Sequence, residues 1–134
     1  MIVLDTHAVI WYAAGHRLRQ TAVNAIELAL NGPGVLLSAI SAWEIGMLAA
    51  KKRIVLQVSV EEYVRTLFQR DGIVEEPVSA EIALLSTTLP NFYGDPADRI
   101  IVATAMVNSV PVVTRDGPMM KYLKKMKLAR CIAC

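Results

Sequence analysis

Five carboxylates stand where helices should begin: Asp5, Glu44, Asp95, Asp98 and Asp116. Asp5 ends the apolar run IVL. Glu44 lies in the first turn of the helix expected after VLLS, and Asp116 follows VVT and precedes a helix start with Pro118. Asp95 and Asp98 share the segment GDPAD, which opens another helix. Capping accounts for each acid singly. Ser41-Ala42-Trp43-Glu44 has the spacing of a capping box. Asp95-Pro96 sets a favoured N-cap before a proline at the first helical position, and Asp98 complements the helix dipole. As a set the acids pose a different problem, because Ser, Thr or Asn caps without charge. If the strands are parallel, Asp5, Glu44 and Asp116 gather at one sheet edge, where like charges repel and at least one pKa must rise. A cation among them removes that cost. Donors that are all oxygen select a hard divalent ion, Mg²⁺ or Mn²⁺, and such an ion is readily shared with a phosphate-bearing substrate.

The elements that must position these acids alternate along the chain. Residues 2–5 read as a strand, 7–14 as a short helix, and 18–31 as a longer one stopped by Asn31-Gly32-Pro33-Gly34. Val35–Ser38 is a second apolar strand. Helix returns near 42–52, where Trp43, Met47 and Ala50 recur at helical spacing. The stripe of Val60, Tyr63, Val64, Leu67 and Phe68 gives a helix over 60–70. Ile73–Val78 reads as a strand that Pro77 confines to an edge or an end. Helices follow at 80–88 and, after the loop 90–94, at 96–108. A strand at 111–114, a helix at 118–125 and a terminal strand at 129–133 complete the chain. Strands alternating with helices indicate an α/β fold, a three-layer α/β/α sandwich around a mainly parallel sheet, in which chemistry gathers beyond the carboxyl ends of the strands.

Composition sets the frame. A chain of 134 residues with no internal repeat or linker is expected to form one domain over 1–134. The apolar share of 54 % is somewhat high and is compatible with surface buried against a partner or a second copy. No secretory signal stands at the N-terminus and no apolar run approaches the ~18 residues of a membrane span, so the expected location is the cytoplasm. Basic residues cluster at Lys51-Lys52-Arg53 and at Lys121, Lys124, Lys125, Lys127 and Arg130; each cluster reads as a solvated helix end or as a contact for anions or nucleic acid. Cys131 and Cys134 form a lone C-x-x-C, short of a zinc site's ligand count, and read as small hydrophobes of the last strand. The other seven acids, Glu27, Glu61, Glu62, Asp71, Glu75, Glu76 and Glu81, read mostly as solvated surface.

The stretches IVLDTHAVIW, SAISAWEIGMLA, GDPADRIIVATA and VPVVTRDGPM, in that order and at these spacings, resemble the PIN-domain family, and within it the VapC-type ribonuclease toxins of toxin–antitoxin pairs. The resemblance covers essentially the whole chain. It implies that Asp5, Glu44, Asp98 and Asp116 are the family's acidic quartet, holding Mg²⁺ or Mn²⁺. Asp98 rather than Asp95 matches the third acid, because it stands five residues before Ala103; Asp95 is first a cap and second a contributor to the site. Thr114 matches a hydroxyl beside the site. Thr6 is a candidate cap of the first helix, and His7 takes a packing or supporting role. Arg99 and Arg115, each next to a site acid, either steady a carboxylate as an ion pair or contact substrate phosphate. Trp11 and Trp43 are expected in the core.

What the resemblance implies is a metal-dependent endoribonuclease that cleaves RNA by in-line attack of water, leaving a 5′-phosphate and a 3′-hydroxyl. A covalent intermediate is unnecessary, which accords with the absence of a Ser–His or Cys–His arrangement. The implied partners are RNA, a cognate antitoxin protein and a second copy of the chain in a homodimer. Two rivals stand beside this: a catalytically silent PIN-fold binding module, and an acid-cluster phosphatase. The latter usually wants a second Asp two residues after the first, where this chain has His7.

Overall fold

The computed structural model describes every residue except Tyr93 and Leu128, so Tyr93 of the expected 90–94 loop lies outside the described residues. Strands β1 (Ile2–Leu4), β2 (Val35–Ser38), β3 (Ile73–Glu76), β4 (Val112–Thr114) and β5 (Cys131–Ala133) form one sheet in the order β3-β2-β1-β4-β5. Every pairing is parallel, so the expected mainly parallel sheet is wholly parallel among the described residues. Parallel pairing places the carboxyl ends of the strands, at Leu4, Ser38, Glu76, Thr114 and Ala133, along one edge.

The central strands are continuous apolar runs because both faces are covered. Leu4, Val35, Leu37 and Val113 face one core, closed by Ala8 and Val9 of α1 (Thr6–Ala13), Ile26 of α2 (Gln20–Leu30), Ile45 of α3 (Ile40–Ala50) and Leu67 of α4 (Val60–Phe68). Val3, Leu36 and Val112 face the other, closed by Ile101, Val102 and Ala105 of α6 (Pro96–Asn108) and by Met119 and Leu123 of α7 (Gly117–Met126). Helix α5 (Ala80–Thr87) packs against α6. The edge position expected for the Pro77 strand is observed, and β3 stops at Glu76, one residue before the proline.

Local signals explain the element ends. The Ser59 hydroxyl accepts from the Glu62 N–H to start α4, and Ser79 does the same from Ile82 to start α5. Gly72 enters β3 with φ +82°, and a Cβ there would lie 2.5 Å from the Leu30 carbonyl oxygen, so only glycine lets this turn rest on α2. Helix α3 begins earlier than the sequence suggests, at Ile40, with Ala39 as an N-cap that provides no side-chain bond. Ser41 therefore lies inside the helix, and the expected capping box does not form. Trp43 also departs from expectation: it is 54 % exposed, while Ser41 and Ile45 of the same helix are buried. The run ISAWEIGMLAA is apolar on all sides, so its spacing does not say which face turns inward.

Candidate active site at the carboxyl edge of the sheet

Asp5 follows β1 directly and is only 4 % exposed. It occupies the N-cap position of α1 yet makes no side-chain cap bond. Its Oδ2 accepts instead from the Thr114 hydroxyl at 2.8 Å, across the β1–β4 pairing. The same Thr114 oxygen accepts from the Asp116 N–H at 3.0 Å, so one hydroxyl ties the end of β4 to the end of β1. Behind it the Cys134 N–H donates to the Thr114 carbonyl at 3.1 Å, bracing β4 from β5.

Glu44 projects from the first turns of α3 toward α1, where the Thr6 hydroxyl donates to its Oε1 at 2.6 Å. That uses the only proton on Thr6. The Ser41 hydroxyl, 2.8 Å from the Thr6 oxygen, must therefore be the donor in that pair. A Ser41–Thr6–Glu44 chain results, buried at Ser41 and Thr6 and part-buried at Glu44. Thr6, expected as a cap, positions a carboxylate. Ser41, expected as half of a capping box, holds Thr6.

Helix α6 brings the remaining acids. Asp95 is its N-cap and accepts from the Asp98 N–H at 2.9 Å, the capping role expected for it. Asp98 itself turns inward. Asp5, Glu44 and Asp98 each present a carboxylate oxygen to a common point, all within 4.8 Å of one another. Asp116 is outside this trio; it caps α7 by accepting from the Met119 N–H at 2.7 Å. It does share with Asp95 and Asp98 a cleft of about 370 Å³ that Phe92, Met119 and Tyr122 also line. Gly94 sits in the wall of that cleft, where an added Cβ would lie 2.5 Å from the Phe92 ring and 3.1 Å from the Asp98 Cβ. A larger cavity of about 760 Å³ lies elsewhere, among α6, α7 and β5, and no acid lines it among the described residues.

Electrostatics mark the trio as costly. Burial pushes the Asp5 carboxyl up, and the Thr114 bond offsets part of that. Glu44 is raised by burial, with the Thr6 bond opposing. Asp98 is raised to about 8, first by burial and then by the charges of Asp95, Asp5, Glu44 and Asp116. Three acids that resist ionisation together, on rigid elements and with hydroxyls fixing two of them, form an oxygen-only donor set that fits a hard divalent cation.

The arginines divide. Arg99 points away from the carboxylates, donating to the Ser86 carbonyl at 3.1 Å and to the Phe92 carbonyl, with its guanidinium over the Phe92 ring. It fastens the 86–92 segment to α6, a role that neither expectation for it included. Arg115 is exposed and lies over the Trp11 ring at 4.8 Å. Trp11 is half-buried against the first core.

The PIN domain family model matches residues 2–122. The chain belongs to the PIN-domain family. Among curated relatives this PIN domain is 35 % identical over 117 residues to Ribonuclease VapC22 of Mycobacterium tuberculosis, covering 86 % of each chain. Its fold is that of the chain matched in a VapBC2 structure from Rickettsia felis bound to a promoter DNA fragment, with a TM-score of 0.70, 15 % identity, and 99 % and 98 % of the two chains covered. A toxin–antitoxin complex from Klebsiella pneumoniae matches with a TM-score of 0.65 and 24 % identity over 98 % and 96 % of the chains. Among the described residues of this PIN domain, no helix is long and apolar enough to cross a membrane.

Proposed function

We propose that this PIN domain is a divalent-metal-dependent endoribonuclease and the toxin of a toxin–antitoxin pair, working as a homodimer that a cognate antitoxin restrains. The convergence of the Asp5, Glu44 and Asp98 carboxylates within 4.8 Å carries the proposal. None of the three side chains caps a helix, and placing them together disfavours the charged form of each, so the cluster has a function other than stability. The relationship to a protein named as a ribonuclease supports the reaction class, and likeness to chains from toxin–antitoxin complexes supports the setting.

Asp5, Glu44 and Asp98 would hold Mg²⁺ or Mn²⁺, with Asp116 completing the quartet from the cleft wall. When bound, such an ion lowers the pKa of a coordinated water and offsets charge on the phosphoryl oxygens. The chain's own residues supply orientation. Thr114 fixes the Asp5 carboxylate while holding the Asp116 backbone, and Thr6, held by Ser41, fixes Glu44. Rigid strand ends keep these donors in place before substrate arrives, which is how positioning contributes to rate. The cleft beside Asp98 and Asp116, walled by Phe92 and Tyr122, can admit the RNA strand next to the scissile phosphodiester.

Asp5→Asn tests the reading. It keeps size and hydrogen-bonding capacity but removes a ligand charge. Purified variant should lose Mg²⁺- or Mn²⁺-dependent RNA cleavage while retaining the wild-type circular dichroism spectrum, and its expression should not arrest growth. Undiminished cleavage by Asp5→Asn, or wild-type cleavage that survives EDTA, would overturn it.

A further inference from the structure

The acidic cluster gives this PIN domain a difficulty with its own proposed substrate, because RNA is a polyanion approaching a patch of carboxylates. The lysine-rich clusters do not sit where they could offset this locally. Helices α3 and α7 start at the carboxyl edge of the sheet and run back across it, so Lys51–Arg53 and Lys124–Lys127, at or beyond their C-terminal ends, lie toward the opposite edge. Arg99 is held by backbone carbonyls.

Among the cations at this edge, which include Arg19 at the N-cap of α2, Arg115 is singled out by its seat on Trp11, a ring it shares with His7. Arg115 immediately precedes Asp116, which lines the cleft, and His7 stands two residues after Asp5. Both are exposed. Both use the same indole: the Arg115 guanidinium lies 4.8 Å from the Trp11 ring centroid, and the His7 ring lies 5.7 Å from it, tilted by 50°. Trp11 is itself anchored, packed half-buried on the core beneath α1. A guanidinium spread on an aromatic face is held in place by that face while its N–H edge stays available for a phosphate. The side chain is thereby ordered before binding, so less conformational entropy is lost when it takes an anion.

We infer that Arg115, seated on Trp11 beside the exposed His7 ring, is a binding subsite for a backbone phosphate of single-stranded RNA next to the acidic cluster. This rests on the endoribonuclease reading for its substrate and adds to it the group that counters the cluster's repulsion. The strand would cross from the cleft wall at Asp116 onto the neighbouring Arg115, and the His7 ring, beside the same indole, offers a face against which an unpaired base can stack.

The test reads binding without cleavage. The protein has two tryptophans, so Trp43→Phe leaves Trp11 as the sole reporter. In chelator, titration with a short unstructured RNA oligonucleotide should change Trp11 emission saturably. In that background Arg115→Ala should weaken binding about tenfold and lower the slope of log K against log salt by about 0.7, the contribution of one phosphate contact on a single strand. Arg115→Lys, and Trp11→Leu read by the anisotropy of the same oligonucleotide carrying a fluorescent label, should each recover or retain only part of the affinity, because charge alone is not the device. With metal present, Arg115→Ala should raise KM while leaving kcat near wild type. Unmoved Trp11 emission, or an unchanged salt slope in Arg115→Ala, would overturn the subsite. Full affinity in both Arg115→Lys and Trp11→Leu would do so as well, reducing Arg115 to an ordinary surface charge. The nuclease reading fails separately: RNA that binds on Trp11 but is never cut with metal sinks the nuclease and leaves the subsite standing.

Discussion

Asp98 is the residue at which the energetic tension of the site is greatest, and the tension has a direction. Its carboxyl is raised from 3.8 to about 8 by burial and by four neighbouring acids. A carboxyl whose folded pKa exceeds its unfolded value contributes stability in full below the unfolded value and loses it as pH rises through the folded one. Metal-free protein should therefore lose stability between roughly pH 4 and 8 on account of Asp98. Asp98→Asn should flatten that dependence and raise the melting temperature above pH 8 by a few degrees, a modest figure because the group is partly solvated. Saturating Mn²⁺ should do the same for the wild type by binding only the folded state. Melting curves across pH in chelator, and again with Mn²⁺, decide this; equal pH dependence in wild type and Asp98→Asn would contradict it. Thr6 offers a second prediction at this scale. Thr6→Val keeps the shape of a buried side chain but strands Glu44 without its donor. Mn²⁺ affinity by calorimetry should fall about 10–100-fold, the usual range for losing a group that orients a ligand. An unchanged affinity would show that Glu44 needs no such orientation.

At the scale of the element, α6 gives different work to two acids that the sequence motif already sets apart. Asp95 is consumed by the Asp98 N–H as a cap, while Asp98, one turn in, faces Asp5 and Glu44. Asp95→Asn preserves a favoured cap, so stability should change by only a few tenths of a kcal/mol and cleavage should persist, whereas Asp98→Asn should abolish cleavage. Parallel assays of the two variants on one RNA check this, and equal losses would place Asp95 among the ligands. Much of this was legible beforehand because the signals are local. DPAD gives a cap, a proline and a buried face within one turn, and α6 spans the expected 96–108. The apolar strands are short runs bounded by clear stops, and β2 matches residue for residue. What was not legible is pairwise and distant. Nothing near Thr6 says that its hydroxyl meets Glu44, thirty-eight residues on, or that Ser41 completes the chain. The S-x-x-E spacing suggested a local bond, and a start of α3 at Ile40 was enough to turn both side chains toward α1. Arg99 likewise found carbonyls rather than a charge, because the 86–92 segment folds over α6.

Across the whole molecule, one topological fact places the site. All strands point the same way, so the residues that leave β1, β2 and β4 arrive at a single edge, and α6, running antiparallel to β4, delivers Asp98 there as well. C-x-x-C illustrates the same geometry in the negative. Cys131 packs on the core beneath α6 and α7 and Cys134 on the opposite one, since an odd offset along a strand reverses the face. Both thiols are free, and burial raises both. The apolar surplus of the sequence has a place too. Trp43, 54 % exposed, and Met47, one turn along at 37 %, form a stripe on the outer face of α3, a helix whose inner face already fills the core with Ile45. A tryptophan left half in water on a rigid helix is the kind of residue that anchors an interface, and the expected homodimer gives it a partner of the same kind under twofold symmetry. Trp43→Glu should therefore raise the dimer dissociation constant about thirtyfold or more without lowering the melting temperature of the monomer, because the side chain belongs to neither core cluster and is more than half exposed. Sedimentation velocity over a concentration series reads the first effect and thermal melts at dilution the second. A Trp43→Glu protein that sediments as wild type would move the dimer contact away from α3.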